Sequence, residues 1–194
     1  MVNDNLESQT QLFFDFLFLN DAKPNCTLRD ISEINPLRSL SKGENAKCYD
    51  MACLPTQGCI PEDGEIKPYN GGVRFKNGDT LIARITPCLE NGKAAFINIL
   101  DEGEIAFGST EYIVFSSANG VPAPFYYFLI RSSKFMTFAL QYMNGSSGRQ
   151  RVSGEELGAF PLKKPSQDTL SRFDTVATPI MEQFRKSSIE IARL

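Results

Sequence analysis

The sequence contains no histidine among its 194 residues. Histidine is the general base of Ser-His-Asp and Cys-His catalysis and the commonest nitrogen ligand of metal ions. Any enzyme hypothesis for this chain must therefore rely on carboxylates, lysines or cysteines alone. The absence removes both of these triad mechanisms, histidine acid-base chemistry and every histidine-based metal site at once.

Long apolar runs are also missing. The most apolar stretch, Leu12 to Leu19, has eight residues and includes Asp15, whereas a membrane-spanning helix needs about 20. The first charges are Asp4 and Glu7, so the positively charged start of a secretory signal is absent. We expect a cytoplasmic protein with no membrane partner, whose 42% apolar residues can build the core of one domain.

The five cysteines do not form a recognisable framework. Cys48, Cys53 and Cys59 are close in sequence, and Cys88 would be a fourth ligand for a metal. Their spacing does not match the paired-cysteine knuckles that hold zinc, and no histidine completes the set. Five is an odd number, and a reducing compartment disfavours disulfides. We expect buried or idle thiols and no metal.

Charge is distributed unevenly along the chain. The net charge of −3 argues against nucleic acid as a partner. Residues 1–33 carry six acids against two bases, whereas residues 131–151 carry four bases, Arg131, Lys134, Arg149 and Arg151, and no acid. This asymmetry permits one phosphate-facing surface on an acidic protein. A solvated charged face is the alternative.

Hydrophobic patterning predicts an α+β fold with a small twisted mixed sheet and short helices. Helical spacing predicts an N-terminal helix over Leu6–Phe18, a short helix near Leu28–Ile34 and a longer one over Phe125–Tyr142. The β-favouring stretches, several of them separated by Asn-Gly turns, are Val73–Phe75, Thr80–Ile85, Ala94–Ile99, Ile105–Phe107, Tyr112–Phe115 and Phe160–Leu162.

The clearest pattern is an apolar seam in the last segment. Ser166 is a suitable N-cap, and a helix of almost thirty residues comes after it, with Pro179 inside. We expect half of this helix to project and to find a partner helix; a surface helix packed on its own domain is the alternative. The seam positions, spaced by three and four, are Leu170, Phe173, Ala177, Ile180, Phe184, Ser187, Ile191 and Leu194, all apolar except Ser187.

Two stretches carry a resemblance to a known family. Phe75–Lys93, together with Gly108–Tyr112, resembles the central part of a recognition domain of type I restriction-modification specificity subunits. Met143–Val152, the Phe160–Leu162 stretch and the long helix resemble the C-terminal part of such a domain and its spacer helix. The order and spacing also match, so the resemblance covers essentially the chain from Leu28 onward.

The resemblance implies an organisation and a set of partners. In that family two recognition domains are each succeeded by a long helix, and the helices pair antiparallel as a spacer. This chain would hold the tail of a preceding spacer helix (1–20), one target-recognition domain (24–165) and one spacer or dimerisation helix (166–194). It would bind double-stranded DNA, a methyltransferase subunit and a restriction-translocase subunit, associate with itself, need no cofactor and catalyse nothing.

The residues themselves offer candidate DNA contacts. Glycine-flanked arginine and glutamine side chains can donate to guanine and adenine edges, and serines suit phosphates. The alternative is a turn whose glycines serve backbone geometry and whose arginines pair with acids such as Glu155. The candidates are Ser146, Ser147, Arg149, Gln150 and Arg151, with Arg84, Asn91 and Lys93 as a second strip.

Two rival functions remain open in the sequence. Glu65-Ile66-Lys67 has the acid-x-lysine form of a magnesium-dependent restriction-type nuclease, with Asp50 as a second ligand. Because glycine and proline flank this tripeptide, we place it in a loop, which disfavours the nuclease. The other rival is a protein-interaction module that uses the C-terminal helix for a partner other than DNA.

Overall fold

The computed structural model describes residues 2–19 and 23–191 as five α-helices, one 3-10 turn and ten short strands. The helices are α1 (Val2–Phe18), α2 (Pro124–Arg131), α3 (Ser133–Gln141), α4 (Gly154–Gly158) and α5 (Gln167–Ile191). The strands are β1 (Cys26–Thr27), β2 (Ser32–Ile34), β3 (Asn45–Tyr49), β4 (Glu65–Pro68), β5 (Val73–Phe75), β6 (Thr80–Ala83), β7 (Ala94–Phe96), β8 (Ala106–Gly108), β9 (Tyr112–Ser117) and β10 (Pro161–Leu162).

The strands form two four-stranded sheets and one short pair. The first sheet has the order β2-β9-β6-β7 and is antiparallel throughout. The second has the order β4-β3-β8-β5 and is mixed, because β3 and β8 run parallel. The third joins β1 to β10. The predicted α+β class is confirmed, but the strands divide into separate sheets where one was expected.

The first sheet is buried on both faces. Successive side chains of a strand point to opposite faces, and along β9 Ile113 and Phe115 enter a core beneath the helices. Tyr112 and Val114 enter a second core, which they share with Tyr49 from the second sheet. The first sheet is thus the middle layer between helices and second sheet, which explains its nearly uniform apolar sequence.

An aromatic cluster joins the N-terminal and C-terminal helices to α2. Phe14 of α1 lies 5.4 Å, between ring centroids, from Phe173 of α5 and 5.1 Å from Phe125 of α2, both edge to face. The Phe18 ring lies 5.0 Å from Phe125 and 5.4 Å from Phe173. Such pairs add stabilisation beyond the apolar area that they bury, so α1 and α5 belong to one core with the sheet.

Two helix predictions need correction. The segment from Leu28 forms one 3-10 turn, Leu28–Asp30, and then strand β2, because pairing with β9 captures Ser32–Ile34. The helix expected over Phe125–Tyr142 is two helices. Ser132 between them is extended (φ −69°, ψ 145°), and its side chain accepts the Phe135 amide hydrogen, capping α3.

Within residues 2–19 and 23–191, no helix is both long and apolar enough to cross a membrane.

Candidate nucleic-acid interface

The glycine-rich stretch singled out from the sequence is a closed, exposed loop. Asn144 and Arg151 exchange both backbone hydrogen bonds at 2.9 Å, and the Arg149 amide donates to the Ser146 carbonyl at 3.0 Å. Gly145 and Gly148 have φ of +130° and +77°, which other residues rarely adopt. The glycines therefore do serve backbone geometry, as the alternative interpretation expected, while the loop surface faces solvent.

The loop lies against the end of β6, so the structure brings the two family-like stretches together. Val152 donates its amide hydrogen to the Arg84 carbonyl, and Thr86 donates to the Gln150 carbonyl, both at 3.0 Å. The Gln150 amide donates to the Thr86 hydroxyl at 3.1 Å. Backbone bonds thus fix the position of Arg84 relative to the loop.

Arg151, Glu111 and Arg84 form a charged cluster at this junction. Arg151 Nε and Nη2 donate to the Glu111 carboxylate at 2.7 to 3.0 Å, and Arg84 Nε lies 3.8 Å from it. Hydrogen bonds from Arg151, together with the nearby positive charges, lower the pKa of Glu111, so the carboxylate is ionised at neutral pH. The alternative interpretation of the sequence was that the loop arginines pair with an acid such as Glu155. The acid that pairs with Arg151 is Glu111.

The exposed part of the loop carries unpaired donors. Arg149, Ser146 and Ser147 are exposed, and no side-chain hydrogen bond or ion pair of theirs occurs among the described residues. Gln150 is half-buried between them and Arg151. Free hydroxyl and guanidinium groups on a glycine-rich loop suit contacts to phosphate oxygens or base edges.

The second predicted strip is only partly available. Asn91 is exposed, but Lys93 donates its ammonium hydrogen to the Met51 carbonyl at 2.7 Å and is half-buried. Lys93 therefore ties the loop after β3 to the first sheet. A DNA contact by Lys93 would use the other two ammonium hydrogens, because the third is donated to the Met51 carbonyl.

The positive stretch 131–151 is not one continuous surface. Arg131 donates to the carbonyls of Gly92, Gly58 and Thr56 at 2.6 to 3.1 Å, holding neighbouring loops together. Lys134 donates to the Leu19 carbonyl at 2.6 Å. Only the Arg149 to Arg151 end of the stretch lies on the candidate interface.

The Asn77-Gly78-Asp79 turn has a structural role that the sequence did not specify. The Asn77 side chain exchanges two hydrogen bonds with the Leu100 backbone, at 2.8 and 3.0 Å. Asp79, 2% exposed, accepts two hydrogen bonds from Arg38 at 2.6 and 2.7 Å and one from Ser116. No local pattern in the sequence links Arg38 to a turn forty residues away.

The proposed metal ligands do not form a cluster. All five cysteines are free thiols, and no group of three or more potential metal-binding side chains exists in the described part of the chain. Glu65 and Lys67 form an exposed ion pair at 2.6 Å on β4. Their placement in a loop was wrong, because pairing with β3 holds this edge strand.

The seam of the C-terminal helix is largely occupied within the chain. Leu170, Phe173, Ala177 and Phe184 are buried in the helical core beside Met181, and Ile180 is partly buried. Ser166 accepts the Thr169 amide hydrogen at 3.1 Å, as the predicted N-cap does. The Ile191 side chain and Leu194 lie outside the described residues. The first four turns therefore agree with the alternative of a helix packed on its own domain.

Comparison with known proteins points to one class of relative. The specificity subunit of the type I restriction enzyme EcoEI from Escherichia coli is 28% identical over 152 residues, 75% of this chain and 25% of that protein. The EcoAI specificity subunit from the same organism is 36% identical over 132 residues, 65% of this chain and 22% of that protein. The chain is similar in sequence to type I restriction specificity subunits.

Solved structures of specificity subunits share the fold. The HsdS subunit from Thermoanaerobacter tengcongensis gives a TM-score of 0.59 at 11% identity, over 99% of this chain and 46% of that one. The S subunit from M. genitalium gives 0.59 at 14%, over 99% and 50%. A chain from a study of type I R-M complex assembly gives 0.55 at 12%, over 99% and 49%. No family model matches the chain.

The chain spans about a quarter of the curated specificity subunits that it matches and about half of the solved chains that it matches. The resemblance inferred from Phe75–Lys93 and Met143–Val152 is thereby confirmed. Sequence reasoning missed Glu111 as a site residue, although it lies within the family-like Gly108–Tyr112 stretch. Only the fold shows that two arginines converge on it.

Proposed function

We propose that this chain recognises a DNA sequence as part of a type I restriction-modification system and catalyses no reaction itself. Its relatives are specificity subunits, and exposed donors with no partner among the described residues lie on the 144–151 loop at the junction of both family-like stretches. The observation that carries the proposal is this junction, because it holds Arg149, Ser146 and Ser147 on a fixed backbone beside Arg84.

Recognition would position a methyltransferase subunit, and through it a restriction-translocase subunit, on one half of a bipartite site inside the cell. The chain covers 46 to 50% of solved specificity subunits, which fits one recognition domain. Phosphate contacts would supply affinity and base contacts would supply sequence choice.

The test is to co-express the chain with the methyltransferase subunit encoded beside it and to map methylated positions in the host genome. We expect methylation at one defined sequence, lost without this chain. The double variant Arg149→Ala and Arg151→Ala should reduce methylation at that sequence, whereas Lys163→Ala removes an exposed charge elsewhere and should not. Methylation that is independent of this chain would contradict the proposal.

Self-association is the finer part of the proposal. Two copies of this chain match one solved specificity subunit in length, and closed two-fold pairs are the commonest oligomers. Because the seam from Leu170 to Phe184 is occupied, the contact would use the helix beyond Phe184 and the exposed face of α1. That face carries Leu12 and Phe16, which are 70% and 72% exposed.

A further inference from the structure

Glu111 is an acid on the candidate DNA interface, where a negative charge lowers affinity for DNA. It sits in the turn between β8 and β9, and its backbone carbonyl accepts the Arg84 amide hydrogen at 2.9 Å. Its carboxylate accepts three hydrogen bonds from Arg151 and faces Arg84. A carboxylate held this firmly on the candidate interface calls for a functional explanation.

The contacts leave Arg151 with one open edge. A guanidinium carries five N–H donors in a rigid plane. The Nε–H and one Nη2–H point to Glu111, and one Nη1–H points to the Arg149 carbonyl at 3.2 Å. One hydrogen on each terminal nitrogen remains, and the side chain is 40% exposed. Arg151 can therefore meet a pair of acceptor atoms from one direction.

The same carboxylate offsets charge. Arg84, Arg149 and Arg151 contribute three positive charges to this face, and Glu111 removes one of them. Binding to DNA of any sequence depends mainly on the number of phosphates neutralised. An acid at this position therefore weakens indiscriminate binding, while its hydrogen bonds preserve the orientation of Arg151.

We propose that Glu111 is a positioning residue that determines specificity, because it presents Arg151 to DNA through one edge and suppresses binding to non-target sequence. This inference rests on the proposed function, since it concerns how the same interface discriminates between duplexes. Arg151 then contributes through hydrogen-bond direction, and Arg149 contributes through charge.

The experiment compares two duplexes of equal length, one carrying the methylated sequence and one scrambled, bound by the full chain assembled with its methyltransferase subunit. For Glu111→Gln we expect a several-fold gain in affinity for scrambled DNA and a salt slope larger by about 0.9. The ratio of target to scrambled affinity should fall by about tenfold, the order of one bidentate contact.

Glu155→Gln is the matched control, since Glu155 is an exposed acid on α4. An equal gain in this control would mean that any lost acid has the effect, and would overturn the proposal. In an Arg151→Met background, Glu111→Gln should change discrimination little; an undiminished change would also overturn it, because Glu111 would not act through Arg151.

Glu111→Asp covers the case in which the glutamine variant does not fold, as judged by thermal unfolding. It keeps the charge and shortens the reach, so discrimination should fall while scrambled-DNA affinity stays the same. Full discrimination by a folded Glu111→Asp or Glu111→Gln complex would overturn the inference alone. A wild-type complex that does not distinguish the two duplexes would overturn the proposed function instead.

Discussion

Arg149 and Arg151 are two residues apart, yet their guanidinium groups are in different electrostatic situations. Arg151 is held by Glu111, whereas Arg149 is exposed and forms no side-chain bond among the described residues. An unpaired, solvated cation binds phosphate without first losing another partner. Under the proposed function, we therefore expect the charge of Arg149 to contribute most directly to affinity for DNA.

Replacing Arg149 by alanine should lower DNA affinity and reduce the salt slope by about 0.9, the share of one phosphate contact. Stability should not change, because the side chain has no partner to lose among the described residues. Filter binding or anisotropy across a salt series measures the slope. Lys163→Ala is the control, and an identical slope for both variants would remove Arg149 from the interface.

Asp79 illustrates a residue that stabilises the fold rather than a site. Its carboxylate and the Arg38 guanidinium are nearly inaccessible, at 2% and 10% exposure, and removing one partner strands a buried charge. Asp79→Ala should cost about 3 kcal/mol or more of unfolding free energy. Denaturant unfolding measures it, with exposed Lys76→Ala as the neighbouring control. A loss no larger than the control's would show that the pair contributes little.

At the scale of single elements, Ser132 decides where one helix becomes two. It is 1% exposed, caps α3 by accepting the Phe135 amide hydrogen, and donates to the Leu129 carbonyl at 2.6 Å. Loss of an N-cap serine costs about 1 kcal/mol. Ser132→Ala should lower the unfolding free energy by that amount, and exposed Ser133→Ala should not. Equal stability of the two variants would argue against the cap.

Local sequence predicts some of the helices and strands and not others. The β-favouring stretch Thr80–Ile85 predicted the strand that forms over Thr80–Ala83, and apolar periodicity predicted the last helix, because both signals are local. The break at Ser132 and the strand at Ser32–Ile34 depend on a buried cap and on pairing with β9, and neither leaves a periodic signal.

The candidate site divides in the same way. Its loop was predicted from the glycines and basic residues of Met143–Val152, which are contiguous in sequence. The Arg151 to Glu111 pair joins residues forty positions apart, and the Lys93 bond to Met51 joins residues forty-two apart. Such pairings depend on strand order, which the sequence pattern left undetermined.

For the whole molecule, the burial of the C-terminal seam changes how self-association should be tested. Phe184 is 4% exposed and lies in the same core as Phe14 and Phe173, so an aspartate there would disrupt the fold itself. Loss of assembly in such a variant would say nothing about a dimer contact. A useful variant must remove apolar surface that the chain leaves uncovered.

Leu12 and Phe16 meet that requirement, because they lie one turn apart on the outer face of α1 and are mostly exposed. Burying large apolar side chains contributes about 1.5 to 3 kcal/mol each, so a symmetric contact doubles the contribution of the pair.

We expect the unmodified chain to sediment as a dimer at concentrations on the order of tens of micromolar, where a contact of moderate affinity is populated. Leu12→Ser with Phe16→Ser should give a folded monomer that no longer directs methylation to a bipartite site. Leu37→Ser, which removes an even more exposed leucine (95%) from a loop, should remain dimeric. A wild-type monomer, or a double variant that still dimerises, would show that this face of α1 does not join two copies.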